Sequence, residues 1–155
     1  MIAPVSDAID LLTYDHGELN RRVLALGTQV RNLQRVTTST TEPLITPLRE
    51  LREQLFLHFA REEEGLFPFV TEHVVELTDQ IHAMEVAHDT ICGSLARMVH
   101  LAQTSSALAM LAQLFDRFEN AYAAHAQQES ELLATLATKL DADQRMRLAA
   151  LVEGL

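Results

Sequence analysis

The sequence predicts an all-α protein: an antiparallel up-down-up-down four-helix bundle with a short C-terminal fifth helix. Four long segments step their apolar residues by alternating threes and fours, the spacing of a buried helical seam. The connections between them are short, which makes consecutive helices antiparallel neighbours. Composition agrees, since Ala, Leu, Glu, Gln and Arg dominate, glycine (5) and proline (4) are scarce, and no alternating strand pattern competes. A chain of 155 residues, 48% hydrophobic, suffices for one domain with a real core. The expected layout is a single domain over 1–155, with the bundle over about 6–138 and the last helix over about 141–153.

Ser6 is a good N-cap for a first helix reaching about Arg35, with the seam Ile9, Leu12, His16, Leu19, Val23, Leu26, Val30 and Leu33. TTSTTEP, residues 37–43, reads as a polar β-branched loop, and Pro43 suits a helix start. The second seam is Leu44, Leu48, Leu51, Leu55, His58, Glu62 and Phe69, with Pro68 marking a last turn or a kink. VTEHVVEL is ambiguous. The third seam runs Leu77, Ile81, Met84, His88, Ile91, Leu95, Met98 and Ala102, and TSS at 104–106 breaks it. The fourth runs Leu108, Leu111, Phe115, Phe118, Tyr122, His125, Glu129, Leu132 and Leu136. Asp141 and Gln144 form a capping pair for the fifth helix, whose apolar surface comes from Met146, Leu148, Leu151 and Val152.

A formal net charge of −10 repels phosphate backbones, so no nucleic-acid partner is expected. No apolar run approaches the ~20 residues of a membrane span. The N-terminal MIAPVSDAIDLL has neither a basic region nor a long apolar core, so no secretory signal is expected, and the default location is cytoplasmic. The single cysteine, Cys92, reads as a small buried thiol.

Polar residues intrude on these seams in a pattern. Of seven histidines, His16, His58, His88 and His125 lie on the seams, one per helix. Glu62 and Glu129 each follow a seam histidine by four residues, so HFARE and HAQQE offer an imidazole and a carboxylate one turn apart on one face. Counted along antiparallel helices at ~1.5 Å per residue, all four histidines fall roughly 14–18 Å from the same end of the bundle. A lone histidine followed by HxxxE occurs twice, so the two helix hairpins make matching contributions about an approximate twofold. An unpaired carboxylate in a dry core costs several kcal/mol or takes up a proton, and two at one site raise each other's pKa. Cations remove both costs. Two ions bridged by two carboxylates, with two histidines each, need about this set; the plainer alternative is a layer of buried, hydrogen-bonded polar groups.

The remaining polar residues receive lesser roles. Glu85, three before His88 in EVAH, is a candidate extra ligand or a solvated glutamate. EVAH also has the ExxH spacing of ferritin-like di-iron proteins, but no second ExxH accompanies it. Tyr122, one turn before His125, is core, with a hydroxyl able to reach the centre as a donor. Glu63 and Glu64 read as a solvated face, and His73, His82 and His100 as exposed. Asp15 and Asp89 adjoin seam histidines and point away from their neighbours' rings.

DHGEL around His16, HFAREEEGLFP around His58 and Glu62, AHDTI around His88, and HAQQE around His125 and Glu129 resemble the hemerythrin-like family, the HHE cation-binding domain. The resemblance implies a non-heme di-iron centre: Glu62 and Glu129 bridging two iron ions, His16 and His58 on one, His88 and His125 on the other, and an oxo or hydroxo bridge completing it. Ligand chemistry alone also suits manganese or zinc. The family's oxygen carriers have a fifth histidine and an aspartate bridge in a longer HxxxxD spacing. Here Met84 and Cys92 stand one turn either side of His88, and HAQQE supplies a glutamate. The implied function is a centre that binds or senses dioxygen or redox and iron state. The alternative is an enzyme that decomposes hydrogen peroxide or reduces nitric oxide. The implied partner is a small diatomic or peroxide ligand, with a partner protein if the chain is a sensor.

Overall fold

The computed structural model describes residues 7–36, 40–104 and 107–153, and every regular element among them is helical. Helix α1 (Ala8–Gln34) is followed by α2 (Glu42–Arg61), which continues through a π-helical turn (Glu62–Leu66) into α3 (Phe67–His73). A short 3-10 turn (Val75–Leu77) leads to α4 (Thr78–Thr104), then α5 (Leu108–Lys139) and α6 (Ala142–Glu153). The proposed cap Ser6 and the serines of TSS lie outside the described residues. Asp7 caps α1 instead, its carboxylate accepting from the Ile9 N–H at 2.8 Å. No described helix is long and apolar enough to cross a membrane.

Helix α1 packs on α2 and α5, and α4 packs on the same two, which closes an antiparallel ring of four. The apolar core within it is in two pieces. One holds Leu19 to Val30 of α1, Leu44 to Phe59 of α2, Ile91 to Ala102 of α4 and Leu111 to Tyr122 of α5. The other holds Ala8 to Leu12, Leu66 to Val74, Ile81 and Met84, and Leu132 to Leu140, closed by Leu148 and Val152 of α6. On α1, α4 and α5 the gap between the two pieces is where the seam histidine falls; on α2 His58 sits beside Phe59 at the edge of the first piece, and Glu62 falls in the gap.

Helix α6 packs back on its own bundle, against α1 and the π turn. Asp141 and Gln144 exchange reciprocal bonds (Gln144 N–H to Asp141 Oδ1 at 2.8 Å, Asp141 N–H to Gln144 Oε1 at 3.0 Å), the capping pair read from sequence. Arg145 ties the helix to Asp7 at 2.7 Å. Leu148 and Val152, four apart, share the buried face. Met146 and Leu151, expected to pack with them, are exposed because α6 lies along the bundle's edge and buries one narrow stripe.

The π turn departs from a simple seam and has a local cause. In a regular helix the Pro68 ring would clash with the Glu64 carbonyl, and it has no N–H to donate. Widening the preceding turn relieves the clash: the Phe67 N–H bonds the Glu62 carbonyl, five residues back, and Pro68 falls in the first turn of α3, where no N–H is needed. What reads in sequence as a last turn or a kink is thus a wide turn inside one continuous helical rod. The ambiguous VTEHVVEL divides between the end of α3 and the 3-10 turn.

Helices α1 and α5 approach closely at Gly27, where an added Cβ would lie 3.2 Å from Phe115 Cε1 and 2.6 Å from Glu119 Oε2. Gly27→Val should therefore cost about 1–3 kcal/mol by overpacking. Urea denaturation of the metal-free chain checks this, and an unchanged midpoint would refute a tight α1–α5 contact.

Candidate metal centre

Each helix of the ring delivers its histidine to the layer between the two apolar pieces, and α5 with the start of the π turn adds the carboxylates. His16, His58, His88 and His125 are 1–5% exposed, and Glu62 and Glu129 are fully buried. The side chains sort into two clusters of ligand-capable atoms: His16, His58 and Glu129, and Glu62, His88 and His125. Among the described residues these are the sets that could hold a metal ion.

The sorting crosses the hairpins. Glu129 Oε2 lies 2.9 Å from His16 Nε2 and Glu129 Oε1 lies 3.1 Å from His58 Nε2, both on the other hairpin. Its own helix partner, His125, is farther, at 3.6 Å. Glu62 Oε1 likewise lies 3.2 Å from His88 Nε2 and 3.5 Å from His58, one turn earlier on its own helix. Each carboxylate thus faces histidines of both pairs. The imidazoles themselves pair by hairpin, His16 with His58 in a stack 5.8 Å apart and His88 with His125 through facing Nε2 atoms at 3.1 Å.

These groups are short of hydrogen bonds. Among the described residues, the buried side-chain nitrogen and oxygen atoms without a hydrogen bond are His16 Nε2, His58 Nδ1, both Glu62 oxygens, His88 Nδ1, His125 Nδ1 and Glu129 Oε2. All belong to the six residues. The 2.9 Å approach of His16 to Glu129 is not aligned as a hydrogen bond. Native interiors leave such atoms unpaired rarely, and here they converge on one layer whose donors are imidazole nitrogens and carboxylate oxygens. That donor set fits divalent cations.

Burial sets the protonation. It pushes Glu62 well above the usual carboxylate range, reinforced by the charge of Glu129. Burial also works to raise Glu129, but the close approach of the polar atoms of Glu62, His16 and His58 outweighs it and holds that carboxyl well below its usual range. Without a cation, then, Glu62 is the carboxyl of the pair that binds a proton more readily and Glu129 the one that favours the charge. Burial, aided by His125, lowers His88 to about 3, and burial lowers His125 to about 4.

The surroundings of the two pairs differ. Phe59 stacks on His88 at 3.7 Å with the rings 10° apart, and Phe67 covers it at 5.3 Å. On the other side a cavity of about 230 Å³ between α1 and α2 has His58 in its wall, with Asp15 and Arg61 among its lining. Asp15 and Arg61 pair at 2.9 Å, so Asp15 serves an arginine on the neighbouring helix.

Glu85 belongs to neither cluster; it is half-buried on α4, and its charge, with that of Asp89, helps raise Glu63. Tyr122 is buried, but its hydroxyl donates to Asn20 Oδ1 at 2.8 Å and to none of the six. Met84 is buried in the apolar layer next to the centre, and Cys92 is half-buried with its thiol raised to about 11 by burial. His73, His82 and His100 are exposed. Glu63, read as solvated, instead brings Oε2 within 3.7 Å of His88 Nδ1. The sequence signal for it was Pro68 closing the EEEGLF run, which forces the wide turn.

The fold and the layer define a cation-binding four-helix bundle. The family model of the hemerythrin HHE cation binding domain matches residues 7–137, and the chain belongs to that family. No curated protein and no solved structure matches it significantly.

The burial of neutral imidazoles gives the metal-free chain a definite pH response. Above the ordinary imidazole pKa of 6.5 the native and unfolded states bind equal protons at His88 and His125. Below it the unfolded chain takes up two protons that the native state refuses, so stability falls. Glu62 acts oppositely, because the native state holds a proton that the unfolded carboxyl has released, and this offsets one of the two. Stability of the metal-free chain should drop by about 1 kcal/mol per pH unit between pH ~6.5 and ~4.5. Urea midpoints across that range test it, and a flat profile would contradict buried neutral imidazoles.

Proposed function

We propose that the chain is a non-heme di-iron protein whose centre binds or senses dioxygen or redox and iron state. One observation carries the reading: every buried side-chain polar atom that lacks a hydrogen bond among the described residues belongs to the six residues of this layer. His16 and His58 would hold one ion and His88 and His125 the other. Glu129 and Glu62, each facing histidines of both pairs, would join them. Iron rather than manganese or zinc rests on kinship with the hemerythrins. Bound there, the ion pair would supply redox-active positions for a small ligand. The protein's part is to hold the His88 and His125 imidazoles neutral, to keep bulk water out with Phe59, Phe67 and the apolar core, and to leave the His58 side against a cavity of small-molecule size.

A second reading has its own observation. Each cluster contains two histidines and no third, since Met84 and Cys92 flank His88. Two histidines and a carboxylate per ion leave coordination positions open on both, which suits turnover of hydrogen peroxide or nitric oxide as well as binding.

Anaerobic iron loading should give two irons per chain and raise the melting temperature. His58→Ala should lose much of both effects. Glu62→Gln, isosteric with the protonated acid, should leave the metal-free chain as stable as wild type while abolishing the metal-dependent rise. Iron well below two per chain in the wild type, or a normal rise in either variant, would sink the assignment. A visible absorption band that appears with dioxygen and persists, without peroxide consumption, supports binding or sensing; sustained oxygen release from added peroxide supports the enzyme.

A further inference from the structure

His88 is constrained on all sides but one. Its Nε2 faces the interior of the layer, 3.2 Å from Glu62 Oε1 and 3.1 Å from His125 Nε2. Its ring plane is fixed by Phe59, stacked at 3.7 Å, and by Phe67, at 5.3 Å and 23°. Nδ1 is therefore aimed away from the centre, where it is buried and without a hydrogen bond. Beyond it, at 3.7 Å, lies Oε2 of Glu63. His58 and His125 also have unpartnered Nδ1 atoms, but among the described residues the carboxylates within 4 Å of these rings lie at Nε2. A histidine that ligates through one nitrogen needs an acceptor for the N–H on the other, and a carboxylate is the strongest common choice because it fixes the tautomer and raises the donor strength of the ring.

We propose that Glu63 is a positioning residue for His88, accepting the Nδ1 proton and so turning the Nε2 lone pair into the centre. The assignment rests on the cation-binding reading above. The remaining gap to a hydrogen bond is less than 1 Å, and the Glu63 side chain, 41% exposed, has the freedom to close it. Glu62 and Glu63 then act as neighbours with separate tasks. Glu62 enters the layer from the first position of the π turn, and Glu63, the next residue in that turn, supports from outside the histidine that Glu62 faces from within. The same tautomer settles the 3.1 Å contact between His88 and His125: His125 Nε2–H donates and His88 Nε2 accepts. A cation would take the place of that shared proton: His125 would carry its proton on Nδ1, leaving the Nε2 lone pairs of both rings for the ion.

Long-range 1H–15N spectra of the 15N-labelled chain, zinc-loaded and metal-free, report the tautomer of each histidine. The wild type should show His88 protonated on Nδ1 with a downfield proton. Glu63→Ala should shift that proton upfield and weaken zinc binding 10–100-fold. Glu63→Gln, which keeps an acceptor, should fall between, and Glu64→Ala should change neither readout. The proposal is overturned if His88 carries its proton on Nε2, or if Glu63→Ala behaves like Glu64→Ala. A wild type that binds no zinc would count against the cation reading itself, and the metal-free spectra would still decide whether Glu63 holds the His88 proton.

Discussion

Glu129 reaches from α5 to His16 on α1 and His58 on α2, while Glu62 reaches from the end of α2 to His88 on α4. These crossings are the constraint around which the bundle is organised. Each carboxylate is fully buried and lies closer to a histidine of the opposite hairpin than to the one on its own helix. The i,i+4 spacing therefore does more than stack two ligands on one face. It lets the imidazole stay with its hairpin partner while the carboxylate, one turn on, crosses the bundle axis. A hairpin that slid by one turn relative to the other would bring Met84 or Ile91 to Glu62 in place of His88, and Leu12 or Leu19 to Glu129 in place of His16.

Such a layer has a cost, and the rest of the sequence is arranged to bear it. Two carboxylates in a dry interior cannot both stay charged without a compensating positive group. In the metal-free chain a proton on Glu62 fills that role, with His88 and His125 kept neutral by burial. It satisfies charge but leaves seven polar atoms without hydrogen bonds. The two apolar clusters on either side supply the stabilisation that permits this deficit, and α6 extends the smaller-helix end of the core by packing Leu148 and Val152 over it. Packing and chemistry are thus separated along the axis, so the layer can be built for a ligand while the flanking segments hold the helices in place.

Much of this was legible in the sequence because it repeats. Four seams with one histidine each, two of them continued by a glutamate four residues on, fix helix number, direction and the level of the layer together. The parts that were not legible are those where a residue's direction depends on local backbone geometry or on a neighbour from another helix. A regular helix sends Glu63 away from the seam that carries Glu62, and only the wide turn forced by Pro68 accompanies its approach to His88. Tyr122 occupies a seam position, yet its hydroxyl is claimed by Asn20, a residue of α1 that no periodicity on α5 could have named. The crossed pairing of the carboxylates was hidden for the same reason, since spacing along one helix says nothing about distances across four.

The repeat also suggests a symmetry that the structure only half keeps. The donor sets are alike, two histidines and a carboxylate on each side. Their settings are not. His88 is clamped between Phe59 and Phe67 and backed by Glu63, whereas His58 borders a cavity edged by the Asp15–Arg61 pair. Both aromatic residues and the supporting glutamate come from the single stretch HFAREEEGLFP, which also supplies His58 and Glu62. The equivalent stretch on α5, HAQQESELL, has Ala126 where the first has Phe59 and Ser130 where it has Glu63. The asymmetry is therefore written into one half of the repeat. Equal ligands in unequal surroundings give two positions that differ in rigidity and in access, and a centre meant to meet a small molecule on one side has use for that difference.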